Sequence, residues 1–219
     1  MAAEGNWLPA WLNTRKVRRF APACHGDLLD IGCGTKPYEA ILREHVGSYT
    51  GLDHPDTQHD RSKVDVWGDA ADLPFPDGSF DTVVMFHVLE HTEDPDTVLG
   101  EVSRVLRPGG RALLAVPFLW GLHEVPRDFF RATPFGLRRM LETSGLQDVH
   151  VEPMCGSLGT LGLLASYFVL RVAGIGGAAG RRAAAPVVAG IQFAALAADR
   201  LYCDPTDAAG YFAVASRPR

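Results

Sequence analysis

Asp30-Ile31-Gly32-Cys33-Gly34 sets a carboxylate and two glycines within five residues, at the end of the apolar run DLLDIG, residues 27–32. Glycines there permit a sharp turn and let a ligand approach the backbone. Asp53 closes a second apolar run, 21 residues after Gly32. A carboxylate in that place can accept both hydroxyls of an adenosine ribose. Pro37 stands where a dinucleotide fingerprint carries its third glycine, so a pyrophosphate is denied close approach to the following helix. The pattern therefore fits a nucleoside without phosphates better than NAD. Cys33 has no base among its neighbours and reads as a small filler.

A second group is His87-Val88-Leu89-Glu90-His91, which matches the H-x-x-E-H pattern of inverted zinc peptidases. On one helix His87 and His91, at i and i+4, would face the same ion. Against this, the pattern directly follows a strong strand, and Pro95 interrupts any long helix. A third group, His123-Glu124 and Arg127-Asp128, follows the fifth strand. These residues can move a proton or form surface ion pairs. Arg127 and Arg131 can bind a carboxylate or phosphate, or lie as plain surface arginines. His54 and His59 read as loop residues.

Placing these groups requires strands that alternate with helices. Strands are predicted at residues 27–32, 48–53, 63–67, 80–86, 111–117, 148–153 and 210–216. Helices are predicted at 6–19, 37–45, 97–106 and 133–144, the last with Thr133 as N-cap, Pro134 at its first position and Gly145 as its stop. The Arg107-Pro108-Gly109-Gly110 sequence is expected to stop the third of these. Such alternation indicates an α/β fold, a doubly wound parallel sheet. Before the last strand lies an apolar insertion, residues 155–209. Between residues 157 and 198 its only charges are Arg171, Arg181 and Arg182. It reads as two helices bent near Gly174–Arg182, each too short to span a bilayer, the second interrupted by Pro186.

The chain has 219 residues and 47% hydrophobic content, enough for one domain with a substantial core. Its formal charge is −5, which argues against a basic nucleic-acid binder. Residues 1–20 and 155–219 each sum to +3, leaving −11 on residues 21–154. An acidic centre suits a cationic or neutral small ligand. Four cysteines, at 24, 33, 155 and 203, show neither a CxxC nor paired spacing. That indicates no zinc framework, no disulfides and a reducing compartment. With no signal-peptide pattern at its start, the chain is expected in the cytoplasm.

LLDIGCGTKPY (28–38), GLD (51–53), DAADLPFPDGSFDTVVMFHVLEH (69–91) and LRPGG (106–110), in this order and spacing, resemble the class I S-adenosylmethionine-dependent methyltransferases, in their small-molecule, type 11-like branch. The resemblance covers roughly residues 26–153 and the final strand. It implies a Rossmann-like, seven-stranded sheet, mostly parallel with an antiparallel last strand. It also implies a single methyltransferase domain over 1–219: an N-terminal helix in 1–25, the cofactor core in 26–153, the helical insertion in 155–209 and the last strand at 210–216. By position, Asp30, Gly32 and Gly34 would shape the methionine end of the cofactor and Asp53 would hold the ribose. Asp69 and Ala70 would bind adenine, and Phe86 and His87 would lie beside the sulfonium. Lys36 stands where many members have a further glycine. That leaves the carboxylate contact open, with Lys36 turned to solvent as one alternative. The family places VLEH in the turn after the fourth strand, with Glu90 and His91 supporting the site and no metal.

Residues 117–146 also resemble a subset found with glycan and lipid biosynthesis. A hydroxyl acceptor needs its proton removed, and His87, His123, Glu124 and Asp128 are the candidates. The expected function is methyl transfer from S-adenosylmethionine to a small molecule, such as a sugar, glycan or lipid-linked acceptor. Two rivals stay open: a zinc peptidase built on HxxEH, and a cofactor-binding or membrane-interacting protein without transfer activity. The low charge of residues 157–198 further implies burial against the sheet, a lid over an apolar acceptor, a homodimer or reversible membrane contact, because large apolar patches on soluble monomers mark interfaces.

Overall fold

Three β-branched or leucine-rich runs form the middle of the sheet: β1 (Asp27–Ile31), β2 (Ser48–Asp53) and β4 (Phe80–Phe86). In this computed structural model, which describes residues 6–57, 60–202 and 204–219, β1 pairs in parallel with both β2 and β4. His59 and Cys203 lie outside the described residues. With β3 (Val66–Trp67), β5 (Leu106–Pro117), β6 (Gln147–Pro153) and β7 (Gly210–Ser216), the order across the sheet is β3-β2-β1-β4-β5-β7-β6. The last strand runs antiparallel, inserted between β5 and β6. The strand order reverses at β1 and β4, where doubly wound sheets bind ligands outside the carboxyl ends of the strands.

The described residues form six α-helices: α1 (Leu8–Phe20), α2 (Glu39–Leu42), α3 (Pro95–Val105), α4 (Pro134–Thr143), α5 (Ser157–Ala173) and α6 (Gly177–Leu201). Local chemistry sets several boundaries. Thr133 accepts the Gly136 N–H at the start of α4, and Asp94 accepts the Thr97 N–H at the start of α3. Pro95, expected to break a helix, instead opens α3 at the position where its missing N–H is harmless. Leu106 through Gly110 do not form a terminating turn but enter β5 directly, because Leu106 is already extended. The expected helix at 37–45 shrinks to the single turn of α2. Lys36, with φ +53°, precedes Pro37, and the Tyr38 cap makes no side-chain bond.

The chain divides into two compact units. One holds the sheet and residues 122–152. Its core includes Leu28, Leu29, Val83, Val84, Leu113, Leu114 and Phe212, all essentially without solvent contact. The other, among the described residues, comprises 6–16, 118–121, 153–202 and 204–210. There α5 and α6 form an antiparallel hairpin through the short 3-10 turn Gly174–Gly176. Gly162 lets the helices close, since a Cβ on it would stand 2.1 Å from that of Ala195. Asp199 of α6 accepts the N–H groups of Gly156 (3.0 Å) and Gly159 (3.1 Å), which satisfies orphan donors at the start of α5. The helix α6 runs through Pro186 for 25 residues, longer than its composition led one to expect. By length and composition, Ser157–Leu201 contains a stretch able to cross a membrane.

Candidate functional site

The turn after β1 is anchored to β2 by its backbone. Gly32 and Cys33 both donate to the Leu52 carbonyl, at 2.8 and 3.0 Å. Asp53, at the end of β2, is pinned on both oxygens. Gly34 donates to Oδ2 at 2.9 Å and His54 donates to Oδ1 at 2.8 Å. Each oxygen keeps a further lone pair. Gly32 has φ +69°, and a Cβ there would strike Val88 at 2.2 Å. Gly34 has φ +47°, and a Cβ there would meet only open space. The two glycines thus differ: the first is required by packing, whereas the second faces open space.

Asp30 lies beneath this turn, buried, and accepts the Tyr49 hydroxyl. Burial pushes its carboxyl up to about 7, against the opposing pull of that hydrogen bond and of the Lys36 charge. Lys36 does not reach solvent. Its ammonium is buried, pairs with Asp65 and lies 5.3 Å from the Tyr49 ring centre. The side chain crosses Gly51, where a Cβ would come within 2.4 Å of Lys36 Cε. Lys36 nevertheless keeps a left-handed backbone, the conformation that a glycine would adopt freely. Asp65 also accepts the Gly51 N–H at 2.7 Å.

Asp69 is exposed beyond β3 and accepts the Ala71 N–H at 2.9 Å, while Ala70 is half-buried. Phe86 closes β4 against an aromatic series. Its ring meets Tyr38 edge-on at 5.5 Å and Phe212 at 5.6 Å, and Phe212 stacks on Phe20 at 5.0 Å. His87 follows with φ +57°, and burial pushes its imidazole pKa down.

The turn after β4 and the segment after β5 meet at the same edge. Leu89–His91 form one 3-10 turn, so His87 and His91 do not share a helix face as the peptidase pattern requires. Phe129 donates to the Glu90 carbonyl at 2.9 Å, and the Arg127 carbonyl accepts from His91 Nδ1. Glu90 is buried, and neither carboxylate oxygen has a hydrogen-bond partner among the described residues. Asp128 is held by Arg131 through both oxygens and accepts the His123 N–H at 3.0 Å. The Arg131 guanidinium beside it pushes its pKa well below the usual carboxylate range. Arg131 is thus engaged internally, whereas Arg127 is exposed, 3.8 Å from Asp56. Of the four non-glycine residues with positive φ among those described, Lys36, His87 and Glu124 border this edge. Such strain gathers where surrounding structure fixes a functional geometry.

The structure thus gathers Asp30, Gly32, Gly34 and Asp53 at the ends of β1 and β2, and His87, His123, Glu124 and Asp128 along one edge. The sequence did not single out Tyr49, Asp65 or Tyr38. Only the position of Tyr49, two residues before Gly51 on a strand beside Asp30, carried any signal.

The family described as "Methyltransferase domain" matches residues 29–114, from β1 to within β5. A probable S-adenosylmethionine-dependent methyltransferase of Mycolicibacterium smegmatis is 34% identical over 177 residues, 74% of this chain and 66% of that one. The chain belongs to the class I S-adenosylmethionine-dependent methyltransferases. The 27-O-demethylrifamycin SV methyltransferase of Amycolatopsis mediterranei is 36% identical over 115 residues, covering 46% of this chain and 42% of that relative. Thus the chain spans less than two thirds of the length of these curated relatives. The solved phosphoethanolamine N-methyltransferase 2 of Haemonchus contortus, in complex with S-adenosylhomocysteine, superposes with a TM-score of 0.61 at 19% identity. It covers 95% of this chain and 53% of that one, a likeness of fold.

Proposed function

We propose that this chain transfers a methyl group from S-adenosylmethionine to a small-molecule acceptor. The observation that carries the proposal is the Gly34–Asp53 arrangement: a carboxylate aimed by two backbone N–H groups beside a glycine that borders open space. A ribose fits this arrangement, because both hydroxyls can donate to one oriented carboxylate. The buried Asp30 fits the ammonium of the methionine end, which favours its ionised form. Gly32 and Gly34 shape that end, while Lys36, already paired with Asp65, serves the turn rather than the cofactor carboxylate. Asp69 and Ala70 are assigned to adenine, and Phe86 and His87 to the surface beside the sulfonium.

The cofactor brings an activated methyl group, so the residues chiefly align the acceptor with it. His87, His123 and Glu124 are the groups that can meet the acceptor. Asp128, locked by Arg131, is a positioning residue for His123 rather than a base. A sugar, glycan or lipid-linked acceptor remains the finer assignment, resting on the likeness of residues 117–146. We place the enzyme in the cytoplasm. Its α5–α6 hairpin is proposed to touch an anionic lipid surface, because Phe168, Val172 and Ile175 are exposed beside the exposed Arg171, Arg181 and Arg182.

The test is calorimetry with S-adenosylmethionine and S-adenosylhomocysteine, followed by transfer of labelled methyl to an acceptor panel. One-to-one binding of both, weakened in Asp53→Ala, is expected. Absence of binding to either would overturn the proposal.

A further inference from the structure

The geometry points to a divalent metal site formed by Glu90, His91 and His123, with zinc as the ion that fits best. Glu90 Oε1 stands 3.7 Å from His91 Nε2 and 3.7 Å from His123 Nε2. The donor atoms of all three residues lie within 4.8 Å of one another. A tetrahedral ion with bonds of roughly 2.0–2.2 Å holds its donors roughly 3.3–3.6 Å apart. The two Glu90–imidazole separations are therefore too long for hydrogen bonds, yet only a few tenths of an ångström from those of a coordination sphere, and the two imidazoles stand within 4.8 Å of each other.

Two further observations point to a ligand. The Glu90 side chain is 1% exposed, and neither of its oxygens has a hydrogen-bond partner among the described residues. A carboxylate stripped of water and left without a hydrogen bond is costly, and His87 Nδ1, at 3.8 Å from Glu90 Oε1, is also beyond hydrogen-bond reach. An ion at this point satisfies it. The outer faces of both imidazoles are also arranged for metal binding. His91 Nδ1 meets the Arg127 carbonyl, and His123 Nδ1 lies 3.5 Å from Asp128 Oδ2. With the proton on each Nδ1, the Nε2 lone pairs face Glu90. Backbone carbonyls and carboxylates behind ligating histidines are the usual means of fixing that tautomer.

Two imidazole nitrogens and one carboxylate suit zinc and its first-row neighbours, whereas magnesium and calcium prefer all-oxygen shells. Glu124 Oε2, 3.9 Å from His91 Nε2, is within reach of the sphere. A three-ligand site leaves a position for water or an acceptor oxygen. This last use of the ion rests on the methyl-transfer reading; the binding site itself does not. The HxxEH pattern thus contributes Glu90 and His91, but the second histidine comes from the segment after β5 instead of from His87.

The experiment uses the full, untagged chain, stripped with chelator and dialysed. Zinc is measured by elemental analysis after equilibrium dialysis, and cobalt(II) is titrated while its visible absorption is followed. One equivalent of each is expected, with cobalt bands of a low-coordinate nitrogen–oxygen site. Glu90→Gln, His91→Ala and His123→Ala should each weaken binding by more than about 100-fold, and Asp128→Asn by about 10- to 100-fold. His150→Ala, an exposed histidine elsewhere, should change nothing. S-adenosylhomocysteine affinity and circular dichroism report whether each variant is folded. His123→Ala, whose residue is only half-buried, serves if Glu90→Gln fails to fold. Stoichiometry below a tenth, or unchanged affinity in folded Glu90→Gln or His123→Ala, overturns the site. Loss of methyl transfer with intact metal binding would count against the methyltransferase reading alone.

Discussion

The Gly34 N–H donates to Asp53 Oδ2 at 2.9 Å, so the residue that faces open space also aims the carboxylate that ends β2. Replacing Asp53 by alanine removes charge-assisted contacts and frees the turn. Cofactor affinity should fall by about 1.5–3 kcal/mol, with Asp53→Asn intermediate. Calorimetry checks this; equal affinities in wild type and Asp53→Ala would remove Asp53 from the site.

The two glycines of the turn should separate stability from binding. Gly32→Ala forces a left-handed alanine against Val88, and should destabilise the fold by roughly 1–3 kcal/mol. Gly34→Ala meets no neighbour, so it should cost only about 1–2 kcal/mol from its backbone conformation. Its methyl group would instead intrude on that open space and weaken cofactor binding. Thermal melts alongside calorimetry distinguish the two, and a Gly34→Ala variant with native affinity would contradict the placement of the cofactor.

Asp30 gives a pH dependence with a definite sign. Burial raises its folded pKa to about 7, above the ordinary value of 3.8. The unfolded chain therefore releases this proton first as pH rises. Stability is fully present below about pH 4, declines to about pH 7 and is flat above it, a total on the order of 4 kcal/mol at most. Asp30→Asn should abolish this part of the slope in denaturant titrations. A cationic ligand beside Asp30 lowers its pKa, so cofactor affinity should increase with pH from about 5.5 to 7.5. Calorimetry in buffers of different ionisation enthalpy should detect proton release over that range.

Much of this edge was legible because its signals were local. Asp30, Gly32, Gly34 and Asp53 sit on strand ends that hydrophobic runs and glycines mark unambiguously. The α4 cap is written within four residues by Thr133, Pro134 and Gly136. Illegible were the pairings between segments remote in sequence. Nothing near Lys36 indicates that Asp65 receives its ammonium, so a lysine in a glycine position reads as a surface residue. Likewise, HxxEH suggests a partner one helical turn away. The left-handed backbone of His87 ends β4 and prevents that helix, while the hydrogen bonds of residues 122–131 bring His123 to Glu90.

The Lys36–Asp65 pair can be tested directly. Lys36 is buried, whereas the Asp65 side chain is about half exposed. Asp65→Ala should strand the ammonium and cost roughly 1–3 kcal/mol. Lys36→Met, which keeps the length and drops the charge, should cost less. The double variant should then be more stable than Asp65→Ala alone. Chemical denaturation of the four proteins provides the cycle, and strict additivity would mean that the pair contributes no coupling.

The hairpin tip combines apolar and cationic exposure within a few residues. Ile175 is 88% exposed, with Phe168 and Val172 at least half exposed and three arginines around them. An apolar tip ringed by cations can insert its side chains at the acyl boundary while the guanidinium groups meet anionic headgroups. The full chain should therefore float with vesicles containing phosphatidylserine and remain behind with neutral phosphatidylcholine vesicles. Each of Arg181→Gln and Arg182→Gln should reduce binding by about 1 kcal/mol, roughly fivefold. Ile175→Asp should abolish it at physiological salt without altering the melting temperature, since this side chain is almost fully exposed. A dimer joined through the same face makes the opposite prediction. Sedimentation would then give twice the monomer mass, Ile175→Asp would yield monomers, and flotation would not depend on lipid charge.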